Sequence, residues 1–265
     1  MIESVVLVDA HVHFHPVANV ATLLDAATSN FQAEAARLGA RAWQGALLLT
    51  EMAGVDRFGE FVRNANPTQI GDWSIVPGGD EISVLATRKG KALLIVAGRQ
   101  MATREGLEVL ALGTRAQIED RQALPRTILL AQQAGAVVVL PWAAGKWLGE
   151  RGKLVERALI EAEGSVFPGD NSGRPSFWKA PAVFATLARQ GRAVLPGTDP
   201  LPLKGEEARV GRNGFWMSGK LPAAGAGAAL LQNLREAQLD AIHAYGPRET
   251  PWGFVRNQVA LRLAK

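Results

Sequence analysis

Three of the four histidines fall in one stretch, Asp9-Ala10-His11-Val12-His13-Phe14-His15. Alternate side chains of a β-strand share a face, so a strand through this segment turns Asp9, His11 and His13 the same way. Paired imidazoles at that spacing suit zinc, iron or manganese. Histidines hydrogen-bonded only for structure are the plain alternative. Pro16 stops the strand and makes His15 the weaker member of the group. The chain has no cysteine, which removes disulfides, thiolate zinc sites, iron-sulfur clusters and thiol nucleophiles. Any further metal ligand must then be His, Asp, Glu or an amide.

The acids that follow apolar runs are the next candidates. Asp199 stands in Leu195-Pro196-Gly197-Thr198-Asp199-Pro200, and Asp170 in Phe167-Pro168-Gly169-Asp170-Asn171-Ser172-Gly173-Arg174-Pro175. Glu51 and the pair Asp80-Glu81 are placed similarly. Each alone also reads as a turn former or helix cap. Asp199 is the candidate third ligand to a metal on His11 and His13, or the general base for its water, and Asp170 is a second catalytic candidate. Arg174 and Lys146 could hold an anion, with Asn171 and Trp142 lining the substrate pocket. Gly145-Lys146 is no phosphate loop of the Walker type, because Trp147 stands where Ser or Thr would bind magnesium. Nucleophile-elbow, dinucleotide and H-E-x-x-H motifs are missing, and His243 is expected on a helix in a structural role.

The elements that position these residues alternate between strand and helix. Strands are expected over 5–10, 45–50, 136–140, 165–167 and 192–195, and helices over 17–38, 55–64, 121–133, 148–163, 181–190, 226–243 and 250–263. Between 82 and 112 three β-like runs (82–87, 92–97 and 107–112) include a hairpin through Lys89-Gly90-Lys91, and 55–64 closes at an Asn66-Pro67 turn. Repeated strand-helix units call for parallel strands with right-handed crossovers. Residues 200–227, rich in Gly and Pro, read as a long functional loop. The expectation is an α/β fold: one distorted (β/α) barrel of TIM type over 1–265, with a hairpin-containing segment at 82–112.

Composition agrees with a packed globular chain: 265 residues, 48% hydrophobic and 20% charged, with a net charge of +4. The basic residues alternate with acids and form no block, which argues against nucleic acid as partner. The start lacks a basic n-region, and the longest apolar run, 134–144, is broken by Pro141, so neither a signal peptide nor a bilayer span is expected. The expected setting is the cytoplasm and the expected partner a small molecule. Composition leaves the oligomeric state open.

Val8-Asp9-Ala10-His11-Val12-His13 resembles the first metal-binding motif of the polymerase and histidinol phosphatase (PHP) family and of the wider amidohydrolase-like barrels. Pro77-Gly78-Gly79-Asp80-Glu81 is similar to the family's early acidic motif and marks Glu81 as a further metal ligand. Leu107-Glu108-Val109-Leu110-Ala111-Leu112-Gly113 is similar to its strand before the helix-rich middle. Pro141-Trp142 falls where the family carries a His-Pro, and Asp199-Pro200-Leu201 where it carries Asp-x-His. The resemblance implies a metal-dependent hydrolase acting through a metal-activated water on a small phosphoester or other anionic substrate. With the histidines of the last two motifs absent, it implies a divergent member with one divalent ion, zinc, manganese or iron. A catalytically degenerate ligand-binding or regulatory protein, and an amidohydrolase cleaving a C–N bond, stand as alternatives.

Overall fold

The computed structural model describes residues 2–63, 67–162 and 166–263. The apolar run after Glu3 becomes β1 (Ser4–Val12), buried from Val5 onward. It pairs in parallel with β2 (Ala42–Leu49), and β2 pairs in parallel with β6 (Lys91–Val96). Three antiparallel strands extend that edge: β5 (Ser83–Arg88), β4 (Trp73–Pro77) and β3 (Thr68–Ile70). On the other side β12 (Gly214–Ser218) lies antiparallel to β1, and β13 (His243–Tyr245) antiparallel to β12. The result is an eight-stranded mixed sheet.

A second sheet of five strands runs in the order β11 (Leu195–Gly197), β10 (Val166–Asn171), β9 (Val137–Pro141), β8 (Glu108–Leu112) and β7 (Gly98–Ala102). Its first three strands are parallel, while β8 is antiparallel to both neighbours. The barrel expectation is therefore corrected. A (β/α) barrel needs eight parallel strands closed on themselves, whereas this chain forms two separate mixed sheets with antiparallel hairpins in both. It remains an α/β fold.

The layers follow from where the apolar side chains go. Helix α1 (Val20–Arg37) is capped by Asn19, whose Oδ1 accepts from the Thr22 N–H at 3.0 Å. It lays Leu23, Leu24, Ala27 and Phe31 against the outer face of the eight-stranded sheet, beside Phe58 and Phe61 of α2 (Arg57–Arg63). A second cluster joins the two sheets face to face: Val6, Val8, Ala46 and Leu48 meet Leu110, Leu112, Val137 and Leu195, with Leu230, Leu231 and Leu234 of α6 (Ala226–Glu236). A third fills the outer face of the five-stranded sheet under α3 (Leu124–Gln133), α4 (Gly149–Glu161) and α5 (Ala182–Arg189). Helix, sheet, sheet and helix thus stack in four layers.

The expected hairpin is present, Arg88 pairing with Lys91 across a two-residue turn. Segment 200–227 is more ordered than a loop: it holds a 3-10 turn, Glu206–Arg209, and β12. The helix expected over 226–243 ends at Glu236, and His243 lies on β13, exposed and stacked on Trp216 with ring centroids 4.0 Å apart. The last helix, α7 (Pro251–Leu263), forms as expected. Asn66 of the predicted turn, the end of the 148–163 helix and the start of the 165–167 strand lie outside the described residues. Among the described residues no helix is long and apolar enough to cross a membrane.

Candidate metal centre

The pairing of β1 with β2 shifts register between Asp9 and Val12. Val5 and Leu7 before the shift, and Val12 and Phe14 after it, pack into the same core cluster. The side-chain parity has therefore reversed, as a β-bulge does by inserting one unpaired residue. Asp9 is parted from His11 and His13 by this reversal, which corrects the expectation that all three share a face.

Asp199 reaches the histidines from the other sheet. Gly197 at the end of β11 presses onto β1 so closely that a Cβ would collide with the His11 backbone, and only glycine permits the approach. The Asp199 N–H then donates to the His11 carbonyl at 2.8 Å, with its backbone in the left-handed region at φ 52°. Non-glycine residues at such φ are uncommon and concentrate at functional sites. Asp199 Oδ1 lies 3.5 Å from His11 Nε2 and 3.4 Å from His13 Nε2, and the two ring nitrogens are 3.1 Å apart. For a tetrahedral ion with bonds of about 2.1 Å, geometry requires ligand atoms about 3.4 Å apart. The triad fits a small divalent cation. His11, His13 and Asp199 form the group able to hold a metal among the described residues.

Burial alone would raise the Asp199 carboxyl; His11, His13 and His15 outweigh it and hold the group well below the usual carboxylate range. Asn171, at the end of β10, steadies the other oxygen: its Nδ2 donates to Asp199 Oδ2 and to the Trp142 carbonyl, both at 2.8 Å. His15 is set apart, its Nε2 2.8 Å from the Pro200 carbonyl, so it ties down the segment after Asp199. Burial, then the neighbouring His13, lower its pKa.

Asp9 is fully buried under the same loop. It accepts from the Thr198 N–H at 2.7 Å, the Thr198 hydroxyl at 2.5 Å, the Gly211 N–H at 2.9 Å and the His11 N–H at 3.3 Å. Burial pushes its pKa up to about 6 against these donors. Its task is to fix Thr198, and with it Asp199.

The other candidates are placed elsewhere. Glu81 is exposed in the turn before β5 and outside the metal-holding group, which corrects its assignment as a ligand. Arg174 is completely buried and forms an ion pair with Asp170, with Nε 2.8 Å from Oδ1 and Nη1 2.8 Å from the Trp178 carbonyl. It is a clamp across the 170–178 turn, and the same pairing takes Asp170 away from base chemistry. Lys146 Nζ binds Glu108 at 2.5 Å. Trp142 is buried edge-on against Trp178, and only its carbonyl reaches the centre, through Asn171. Gln100 joins the group from β7, its Oε1 within 3.1 Å of His11 Nε2. Nothing in Gly98-Arg99-Gln100-Met101 signals this, because the run has neither strand alternation nor a metal-binding residue type.

A cleft of about 680 Å³ lies beside the loop that carries Asp199, lined among others by Ser172, Lys204, Arg209, Arg212, Arg248 and Glu249. Arg209 is paired with Glu249 at 2.7 Å and donates to Ser172 Oγ at 3.1 Å, while Ser172 Oγ donates to the Thr198 carbonyl at 2.6 Å. Lys204, Arg212 and Arg248 have no acidic partner among the described residues.

No family model matches the chain, and no curated protein matches it. Among solved structures, the crystal structure of PsfC from Pseudomonas syringae PB-5123 is similar, with a TM-score of 0.56 and 16% identity over 99% of this chain and 100% of that one. At that identity the likeness is one of fold.

Proposed function

We propose that the protein is a metal-dependent hydrolase of small anionic substrates, a phosphoester first among them, working with a reduced set of metal ligands. One observation carries the reading: two imidazoles and one carboxylate from different sheets meet at separations that fit one divalent cation. When bound, such an ion lowers the pKa of water and polarises a substrate oxygen. Neutral His11 and His13 offer lone pairs, and Asp199 supplies the negative charge. Asn171 fixes which carboxylate oxygen faces them. Anion recognition, first expected of Arg174 and Lys146, passes in this reading to Lys204, Arg212 and Arg248, whose charges are free to meet a ligand.

Untagged protein, loaded with zinc or manganese, is assayed for metal content by plasma emission and for phosphate release from p-nitrophenyl phosphate. The reading expects one equivalent of metal, lost in the His11→Ala, His13→Ala double variant, and turnover only with metal. Arg212→Glu with Arg248→Glu should raise KM at unchanged metal content. A wild type that takes up neither ion overturns the metal centre. Metal with tight anion binding and no turnover makes the protein a binding module, and metal with turnover of amides alone makes it a C–N hydrolase.

A further inference from the structure

Gln100 approaches the histidines from the edge strand of the five-stranded sheet, opposite the sheet that carries them. Its Oε1 is 3.1 Å from His11 Nε2, the same separation as between the two ring nitrogens. Together with the 3.5 and 3.4 Å separations of Asp199 Oδ1, four of the six separations among these atoms lie near the tetrahedral edge about a small cation, about 3.4 Å. The atoms around His11 Nε2 are a second ring nitrogen, an amide oxygen and a carboxylate oxygen. A neutral imidazole has at most one N–H at that nitrogen, which can serve only one of the three neighbours well. A cation in their midst serves all of them.

Gln100 also lines a cleft of about 210 Å³ with Glu51, Gly54, Arg99, Met101 and Asp120. It therefore stands both at the histidine pair and on the wall of an opening. From these two observations, and resting on the metal reading above, we infer that Gln100 is the fourth ligand, a neutral and exchangeable one that yields its place to an incoming oxygen donor such as inorganic phosphate. An amide oxygen is a weaker donor than a carboxylate and adds no charge. A divalent ion on Asp199 and two neutral imidazoles keeps a net charge of about +1 and stays electrophilic. Glutamate at position 100 would neutralise it and block the exchange.

The test compares wild type, Gln100→Ala and Gln100→Glu for zinc affinity by chelator competition and for the visible absorption of the cobalt form. Gln100→Ala should weaken zinc by about tenfold or more, on the scale of altered ligand environments. Gln100→Glu should tighten it, and both should change the cobalt spectrum. Inorganic phosphate should perturb the wild-type cobalt spectrum and leave that of Gln100→Glu nearly unmoved. Melting of the metal-free proteins separates these effects from misfolding, and the nearly isosteric glutamate carries the test if the alanine variant does not fold. Wild-type affinity and spectrum in both variants, with binding still abolished by His11→Ala and His13→Ala, would make Gln100 a bystander and leave the metal centre standing. Absence of metal binding in the wild type would overturn both.

Discussion

Asn171 and Asp199 are joined by a single hydrogen bond, Nδ2 to Oδ2 at 2.8 Å, while the same Nδ2 donates to the Trp142 carbonyl at the end of β9. The carboxylate is thus tethered to the backbone of a neighbouring strand by its far oxygen, and Oδ1 is left to face the imidazoles. Partners of this kind typically contribute 10–100-fold to metal affinity by holding the ligand in one orientation, about 1.4–2.7 kcal/mol. Asn171→Ala should lose affinity on that scale while keeping one bound equivalent. Chelator competition checks it, and an affinity equal to wild type would mean that the backbone at Asp199 alone sets the carboxylate.

Asp9 acts one step further back. Its four donors include the Thr198 N–H and hydroxyl, so the residue preceding Asp199 is anchored to β1 in the interior. Asp9→Ala leaves these donors buried and unpaired, at about 1–3 kcal/mol for each group that finds no water. The expected result in urea unfolding is a loss of several kcal/mol, together with weaker metal binding. Retained stability with weaker binding would reassign Asp9 to the metal itself.

Arg174 is the residue whose fate differs most from its sequence reading. Exposed in a turn and facing an anion, it would tolerate alanine with a change of about 0.5 kcal/mol. Buried at 0% exposure on Asp170 and the Trp178 carbonyl, it should not. Breaking a buried pair strands the partner charge, typically at about 3–5 kcal/mol. Asp170 keeps 20% of its side chain exposed, so the lower end is expected for Arg174→Ala. The pair Arg174→Met, Asp170→Leu should recover much of the loss. A folded, fully stable Arg174→Ala protein with weakened anion binding would restore the original reading.

The histidines and Asp199 were legible because their types are rare and each follows an apolar run. The candidate metal triad outlasts the barrel, since the ends of β1 and β11 meet even in separate sheets. What stayed hidden is long-range: no local pattern distinguishes a parallel from an antiparallel neighbour for β8, whose runs of Val, Leu and Ala suit either. The register shift at Asp9 leaves no mark in the alternation either. Strands β12 and β13 lay in segments read as loop and helix because Gly214-Phe215-Trp216-Met217 follows a run of Gly and Arg.

Acid should release the metal, and the direction follows from which ligands can take up a proton. Asp199 is held below the usual carboxylate range, by three imidazoles against its own burial, so it stays ionised from neutral pH down through the range where histidines titrate. Competition with protons then falls to His11 and His13, which must be neutral to bind. Affinity should therefore fall as the pH is lowered from about 8 to about 5, by up to about tenfold per unit for each ligand that must shed a proton to bind. Zinc titrations with a competing chelator at fixed ionic strength give the slope directly. A slope of two protons per ion supports both histidines as ligands, a slope of one removes one of them from the site, and affinity independent of pH across that window would place the ion elsewhere in the molecule.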